Sequence, residues 1–198
     1  MTRPDLHVRV RVCVCLFAVT LFNPCVAADG PQPELVSEFA RLYVGLCMKN
    51  LSNLDGLRAQ LAEKKLPQLS PDKAAGFLNG REGDAWPVPS NGQLGNYVLV
   101  LFTHASLCAI YGRRVNTSEV ESDFDNLMSH VSAPMQSKLE SDQVKDSAQG
   151  PVHTKGYTWT VIGHPEIARG MHFVLSTATS VNASFQAFGT ASVGPLPP

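Results

Sequence analysis

Beyond residue 28 the chain carries five histidines, His104, His130, His153, His164 and His172, and two cysteines, Cys47 and Cys108. Imidazoles and thiolates hold zinc and run nucleophilic chemistry, so their spacing is weighed first. No H-E-x-x-H pair sets two imidazoles on one helix face, and no histidine stands at finger spacing from a cysteine. There is no C-x-x-C for redox work or zinc, since Cys13-Val14-Cys15 has the wrong interval. His164 opens a connection and His172 lies early in the next strand, so with Glu166 they flank one hairpin and would be the place for a metal or hydrolytic site. Solvated imidazoles on a sheet edge are the plainer reading of the same residues.

Nucleophilic and two-acid chemistry leave weaker traces. A Ser-His-Asp triad assembles from distant positions and is not excluded, but no G-x-S-x-G elbow is present. A glycosidase needs two carboxylates across a cleft, and Glu82, Asp84 and Asp142 qualify only as any acid does. No glycine run has the P-loop or dinucleotide pattern. No cofactor and no metal are expected, and no catalytic residue is assigned. Trp86 has two readings, a lid packed over the sheet edge or an anchor facing a partner. Arg113 and Arg114 join it as possible partner contacts, because Trp and Arg dominate interface hot spots. On a strand the two arginines would point to opposite faces, and Asp84 would pair with either.

The cysteines matter because of where the chain is expected to work. Arg3, Arg9 and Arg11 precede an eleven-residue apolar run, Val12 to Phe22, and the small residues Val26-Ala27-Ala28 follow. That is the layout of a secretory signal peptide. The run is shorter than the roughly 20 residues a membrane-spanning helix needs. Cleavage after Ala28 is expected, with an uncleaved anchor or lipidation of Cys25 as alternatives; Asn23-Pro24 before Cys25 fits lipidation poorly. Cleavage removes Cys13, Cys15 and Cys25 from the five cysteines and leaves an even pair. In an oxidising compartment the expected state is a Cys47–Cys108 disulfide. Two separate buried thiols, or a Cys-His pair, are the alternatives.

Charge narrows the partners. Losing Arg3, Arg9, Arg11 and Asp5 takes the 16 cations and 17 anions to 13 and 16, a net charge near −3. Nucleic-acid binding wants a clustered basic excess, and Arg113-Arg114 and Lys64-Lys65 are isolated doublets. No nucleic acid and no stable membrane insertion after cleavage are expected. Three sequons, at Asn50, Asn116 and Asn182, would matter in a eukaryotic secretory protein, but a bacterial exported protein is the favoured reading.

The elements that must position these residues follow from pattern. Residues 29–33 read as a linker and 34–190 as one α+β domain, with a frayed tail over 191–198. A first helix opens at Pro33-Glu34, with Leu35, Phe39, Leu42, Tyr43 and Leu46 on one face and Cys47 beside them. A second runs from about Asn53 to Lys65 on Leu54, Leu57 and Leu61. Ser70-Pro71-Asp72 opens a third that Asn79-Gly80 ends. Trp86-Pro87-Val88-Pro89 must be extended, and its prolines exclude it from a sheet interior. Tyr97 to Phe102 and Leu107 to Tyr111 are strands buried on both faces. Asn116 and Glu119 form a capping box before a helix on Val120, Phe124, Leu127 and Val131, closed by Pro134. Further strands are expected over 135–145, 154–162, 170–179 and 184–189. The fold class is α+β: N-terminal helices, then a mostly antiparallel sheet with one further helix packed on it and one disulfide.

Phe39…Leu46-Cys47…Leu51, Pro71-x-x-Ala74-Ala75-x-Phe77-Leu78, Gly83-Asp84-Ala85-Trp86-Pro87-Val88-Pro89 and Tyr97-Val98-Leu99 with Cys108 and Arg113-Arg114 carry a resemblance. The chain resembles a family of small exported proteins and lipoproteins of Gram-negative bacteria. The resemblance implies a periplasmic location and no chemistry. Two functional expectations follow. One is a non-enzymatic envelope module binding an envelope protein or a small ligand. The other is a periplasmic hydrolase with a site assembled from dispersed residues such as His164, His172 and Glu166.

Overall fold

In the computed structural model, which describes residues 35–103, 106–164 and 167–196, the first helix begins at Ser37. Helix α1 spans Glu38–Leu42 and continues as a π-helical turn, Tyr43–Met48. Ser37 Oγ accepts from Ala40 N at 3.3 Å, and Asp123 takes the Val36 and Ser37 amides. The helix therefore starts four residues later than the Pro33-Glu34 signal suggests, because the capping residue is Ser37 and its support comes from a distant carboxylate. Helix α2, Leu54–Glu63, is capped by Asn53, whose Oδ1 accepts from Gly56 N. Helix α3, Pro71–Leu78, ends on Asn79 in the left-handed region, as its sequence requires.

Seven strands follow: β1 Gly83–Ser90, β2 Gln93–Phe102, β3 Leu107–Gly112, then, after helix α4 (Thr117–Ser129), β4 Met135–Ser147, β5 Gly150–Val161, β6 Arg169–Ala178 and β7 Ala187–Pro195. They make one antiparallel sheet in the order β1-β2-β3-β7-β6-β5-β4. Three strands form a meander, α4 carries the chain to the far edge, and four strands meander back until β7 pairs with β3. The result is a disulfide-bonded α+β fold that is largely β. Among the described residues no helix is long and apolar enough to cross a membrane. The leader expected over 1–28 and the linker over 29–33 lie outside the described residues.

Both edges resist further pairing. β1 is an edge, as Pro87 and Pro89 demand, and pairs only with β2. At the other edge β4 carries a bulge between Leu139 and Ser141 and a run of charges including Lys138, Asp142 and Lys145.

The sheet buries two cores. On its front face α1, the π turn, α2 and α4 cover Trp86, Leu99, Leu101, Ile110, Phe173 and Leu175. Here Cys47 is bonded to Cys108, with Cα atoms 5.4 Å apart. Phe39 and Tyr43 lie so close to β7 that a Cβ on Gly189 would stand 3.1–3.2 Å from their rings, and Tyr43 donates from its hydroxyl to Thr190 O at 2.6 Å. On the back face α3 sits over β1–β3, closing a smaller core of Ala74, Ala85, Val100, Phe102 and Ala109.

Three expectations need correction. The tail expected to fray from Ala191 is the second half of β7, a central strand. Its inward residues Ala187, Gly189 and Ala191 are small because helices lie directly on them, so they give no apolar signal. β3 ends at Gly112, so Arg113 and Arg114 sit in a bend and not on a strand. The Asn116–Glu119 capping box is not closed through the backbone: Asn116 Nδ2 donates to Glu119 Oε1 instead.

Candidate functional site

Two places gather polar chemistry. The first is a groove between α4 and the β4–β5 hairpin. Glu121 and Asp125 stand one helical turn apart on α4, and β5 sends His153, Lys155 and Tyr157 to the same face by its two-residue period. The His153 ring is held by a carboxylate on each nitrogen, Nε2 to Asp142 Oδ1 at 2.6 Å and Nδ1 to Glu121 Oε2 at 3.2 Å. Thr177 Oγ1 donates to the other Glu121 oxygen. Lys155 Nζ donates to Asp125 Oδ2 at 2.6 Å, and Tyr157 OH to Asp125 Oδ1 at 3.1 Å.

This network tunes its own members. The bond to Asp142, aided by Glu121, raises His153 above its ordinary 6.5 against the opposing effect of burial. The same bond lowers Asp142. Burial acts to lower Lys155, but Asp125, with Asp142 and Glu121 beyond it, outweighs that and raises it. Burial, then the Asp125 charge, raises Tyr157. An imidazole with a carboxylate against each nitrogen has neither one open to a substrate or a metal, and an ammonium held by a carboxylate is a poor nucleophile. Each group answers another, so the groove reads as a clasp between helix and hairpin. No group of three or more acids, His or Cys able to hold a metal occurs among the described residues.

The second place is a cleft on the back face, between α3 and the ends of β2 and β3. Val98 and Tyr111 form its floor, and Phe77 of α3 and Phe185 of the loop before β7 form its walls. The cavity is about 480 Å³, within the range of small-molecule sites. Tyr111 anchors the aromatic wall: its ring meets Phe77 edge-on at 5.3 Å, Phe185 at 4.7 Å and Phe188 at 4.5 Å between centroids. Its hydroxyl donates to Phe77 O at 2.8 Å, and burial raises its pKa against the opposing charge of Arg81. The wall is thus fixed before any ligand arrives. Lys73, Asn96, Arg113 and Ser184 supply the polar part of the lining, and of these Ser184 is bonded to Gln149.

The residues singled out from sequence fall as follows. Cys47 and Cys108 are the disulfide. Trp86 is 6% exposed and belongs to the front core, so its indole packs inward and is not presented to a partner. Arg113 lines the back-face cleft; Arg114 is exposed, with φ of 56° and its amide bonded to Gln186 Oε1. Asp84 pairs with neither. It accepts from Arg58 Nε at 3.1 Å and Gln68 Nε2 at 2.6 Å, because Arg58 reaches from α2 across the end of β2 to the Leu101 and Phe102 carbonyls. His172 lies on the back face, its Nδ1 against Thr158 Oγ1 at 3.2 Å and its Nε2 against Pro195 O at 3.0 Å. It ties β6 to the end of β7 and stands on the opposite face from His153. Glu166 lies outside the described residues.

Sequence reasoning missed Asp123, Arg58, the His153 groove and the role of Tyr111. Only a weak signal existed for the groove, namely acids at 121 and 125 on one helix face and polar residues alternating over 153–157. Compared with protein-family models, with curated proteins and with solved structures, the chain matches none.

Proposed function

We propose that this chain is an exported, non-enzymatic binding module that takes a small ligand in the back-face cleft beside α3. The observation that carries the reading is a contrast. The charged groove is answered internally at every group named above, whereas the cleft joins a preset aromatic wall to the Lys73, Asn96 and Arg113 side chains, which bond to nothing else among the described residues. A pocket of that make-up is the default site for a ligand.

The leader pattern of residues 1–28 and the disulfide support export to an oxidising space, the periplasm in the bacterial reading that the family resemblance favours. The mature chain would then begin at Asp29.

Two measurements test this. Amide and methyl NMR of the oxidised protein, titrated with a mixture of small aromatic compounds, should move Phe77, Val98, Tyr111 and Phe185 first. Perturbations confined to the α4–β5 groove, or none at all, would overturn the cleft as the site. N-terminal sequencing of the protein from an envelope fraction should start at Asp29; an intact Met1 would overturn the export reading.

A further inference from the structure

We infer that the ligand of this cleft is an organic anion with a flat apolar body, held by its rings against Tyr111 and by its charge between Lys73 and Arg113; the inference rests on the binding reading above. The lining contains these two cations and no carboxylate. Neither the Lys73 ammonium nor the Arg113 guanidinium has an ion-pair or hydrogen-bond partner among the described residues. Of the neighbouring clefts, one shares Phe77 and Tyr111 and holds a single cation, Arg81, without a carboxylate, and two others contain acids. On the other flank of α3, Arg81 shares the lining with Asp84 and stands over the Phe102 ring at 5.5 Å. Beside α2, Arg58 is paired to Asp55 at 2.8 Å and to Asp84 at 3.1 Å.

An acid placed near Arg58 would compete with Asp55 and Asp84, and one near Arg81 would find a single cation with Asp84 on one side of it. In the Lys73–Arg113 cleft it meets two cations and no carboxylate. The two cations come from different elements, α3 and the bend after β3, so they approach the mouth from separate supports. The rings that line the cleft offer faces and edges for stacking but no free hydroxyl proton, because the Tyr111 O–H is already donated to Phe77 O. The half-buried Asn96 side chain, also unbonded among the described residues, adds one donor for an anionic oxygen. A neutral hydrocarbon would leave both cations unused. A small hydrophilic anion would leave the aromatic wall wet.

The probes are 8-anilinonaphthalene-1-sulfonate and N-phenyl-1-naphthylamine, which share one ring system and differ by the sulfonate. Each is titrated by fluorescence into the full chain with its disulfide formed and melting cooperatively. The sulfonate is expected to bind the tighter of the two and to weaken with added salt. Changing Lys73→Gln and Arg113→Gln together should cost it about tenfold in affinity, the sum of two modest exposed pairs, with the neutral probe held within about twofold. Both positions are exposed, so the variant folds. Val98→Phe, which fills the floor, should weaken both probes; Ser184→Trp at the rim serves the same end if Val98→Phe does not fold. Equal affinity for the two probes, unchanged by the double Gln variant but reduced by the filling variant, would overturn the anion inference and leave the binding reading standing. Failure of both probes to bind, or binding that neither filling variant touches, would overturn both.

Discussion

Removing the Asp123 carboxylate should detach the start of the first helix from the rest of the protein. Asp123 is 4% exposed, inside α4. Its Oδ2 accepts from Ser37 N at 2.7 Å and Ser37 Oγ at 2.6 Å, and its Oδ1 from Val36 N at 3.2 Å. Asp123→Ala strands a buried amide and takes the orienting partner from the Ser37 hydroxyl that caps α1. A bond to a charged acceptor contributes about 1.5–3 kcal/mol, and three sharing one carboxylate do not add fully. Water entering beside the half-buried Val36 amide recovers part of the loss, so the net effect is about 3 kcal/mol. That is a large share of a total near 5–15 kcal/mol. Asp123→Asn keeps one acceptor oxygen and sets its NH₂ against an amide donor, so it should lose about half as much. The assay is urea unfolding of the oxidised protein at neutral pH. With a slope of about 2 kcal/mol per molar, Asp123→Ala should lower the midpoint by about 1.5 M, and hydrogen exchange at Ala40 and Arg41 should accelerate with it. A midpoint shift under about 0.3 M for the Ala variant would refute the claim that this carboxylate holds the α1 start.

Two other outcomes follow from the same structure. Reducing Cys47–Cys108, which closes a separation of 61 residues, should remove about 4 kcal/mol on the chain-entropy model and lower the urea midpoint by about 2 M; a midpoint indifferent to reductant would contradict it. For the groove, His153 is raised above 6.5, so its stabilisation is whole below about pH 6.5 and is lost as pH climbs through the raised folded value. Asp142 is lowered from 3.8, so its share is present above that value and disappears as pH falls through the lowered one. The melting-temperature gap between the wild type and His153→Gln should therefore be widest between about pH 4 and 6.5 and should narrow by pH 9. A gap equally wide at pH 9 would show that the ring acts by packing alone.

How much of this was readable beforehand depends on the range of the interaction concerned. Asn53, Ser70-Pro71 and Asn79 mark helix ends because a cap, a first-turn proline and a left-handed residue act over three or four residues, and α2 begins, and α3 begins and ends, where those residues place them. Pro87 and Pro89 assign β1 to an edge because a missing N–H is a local fact. The α1 start was misplaced because its cap is shared with Asp123, 86 residues along the chain. β7 was half lost because alanine and glycine look like a weak strand until Phe39 and Tyr43 press on them. The site followed the same rule. Lys73 and Tyr111 are ordinary residues in sequence, Arg113 drew notice only as a partner contact on a strand, and Trp86, the most conspicuous candidate, lies in the core.

The amino-acid sequence alone determined the starts of α2 and α3, the end of α3, the edge strand, the paired cysteines and the α+β class, since each rests on residue chemistry that holds whatever the fold. Tertiary structure alone decided that Arg58 rather than either of Arg113 and Arg114 answers Asp84, that His153 and His172 occupy opposite faces, and that two cations meet an aromatic wall behind α3. Those outcomes depend on which strands the α4 crossover brings together, and no local property of the chain encodes that distance.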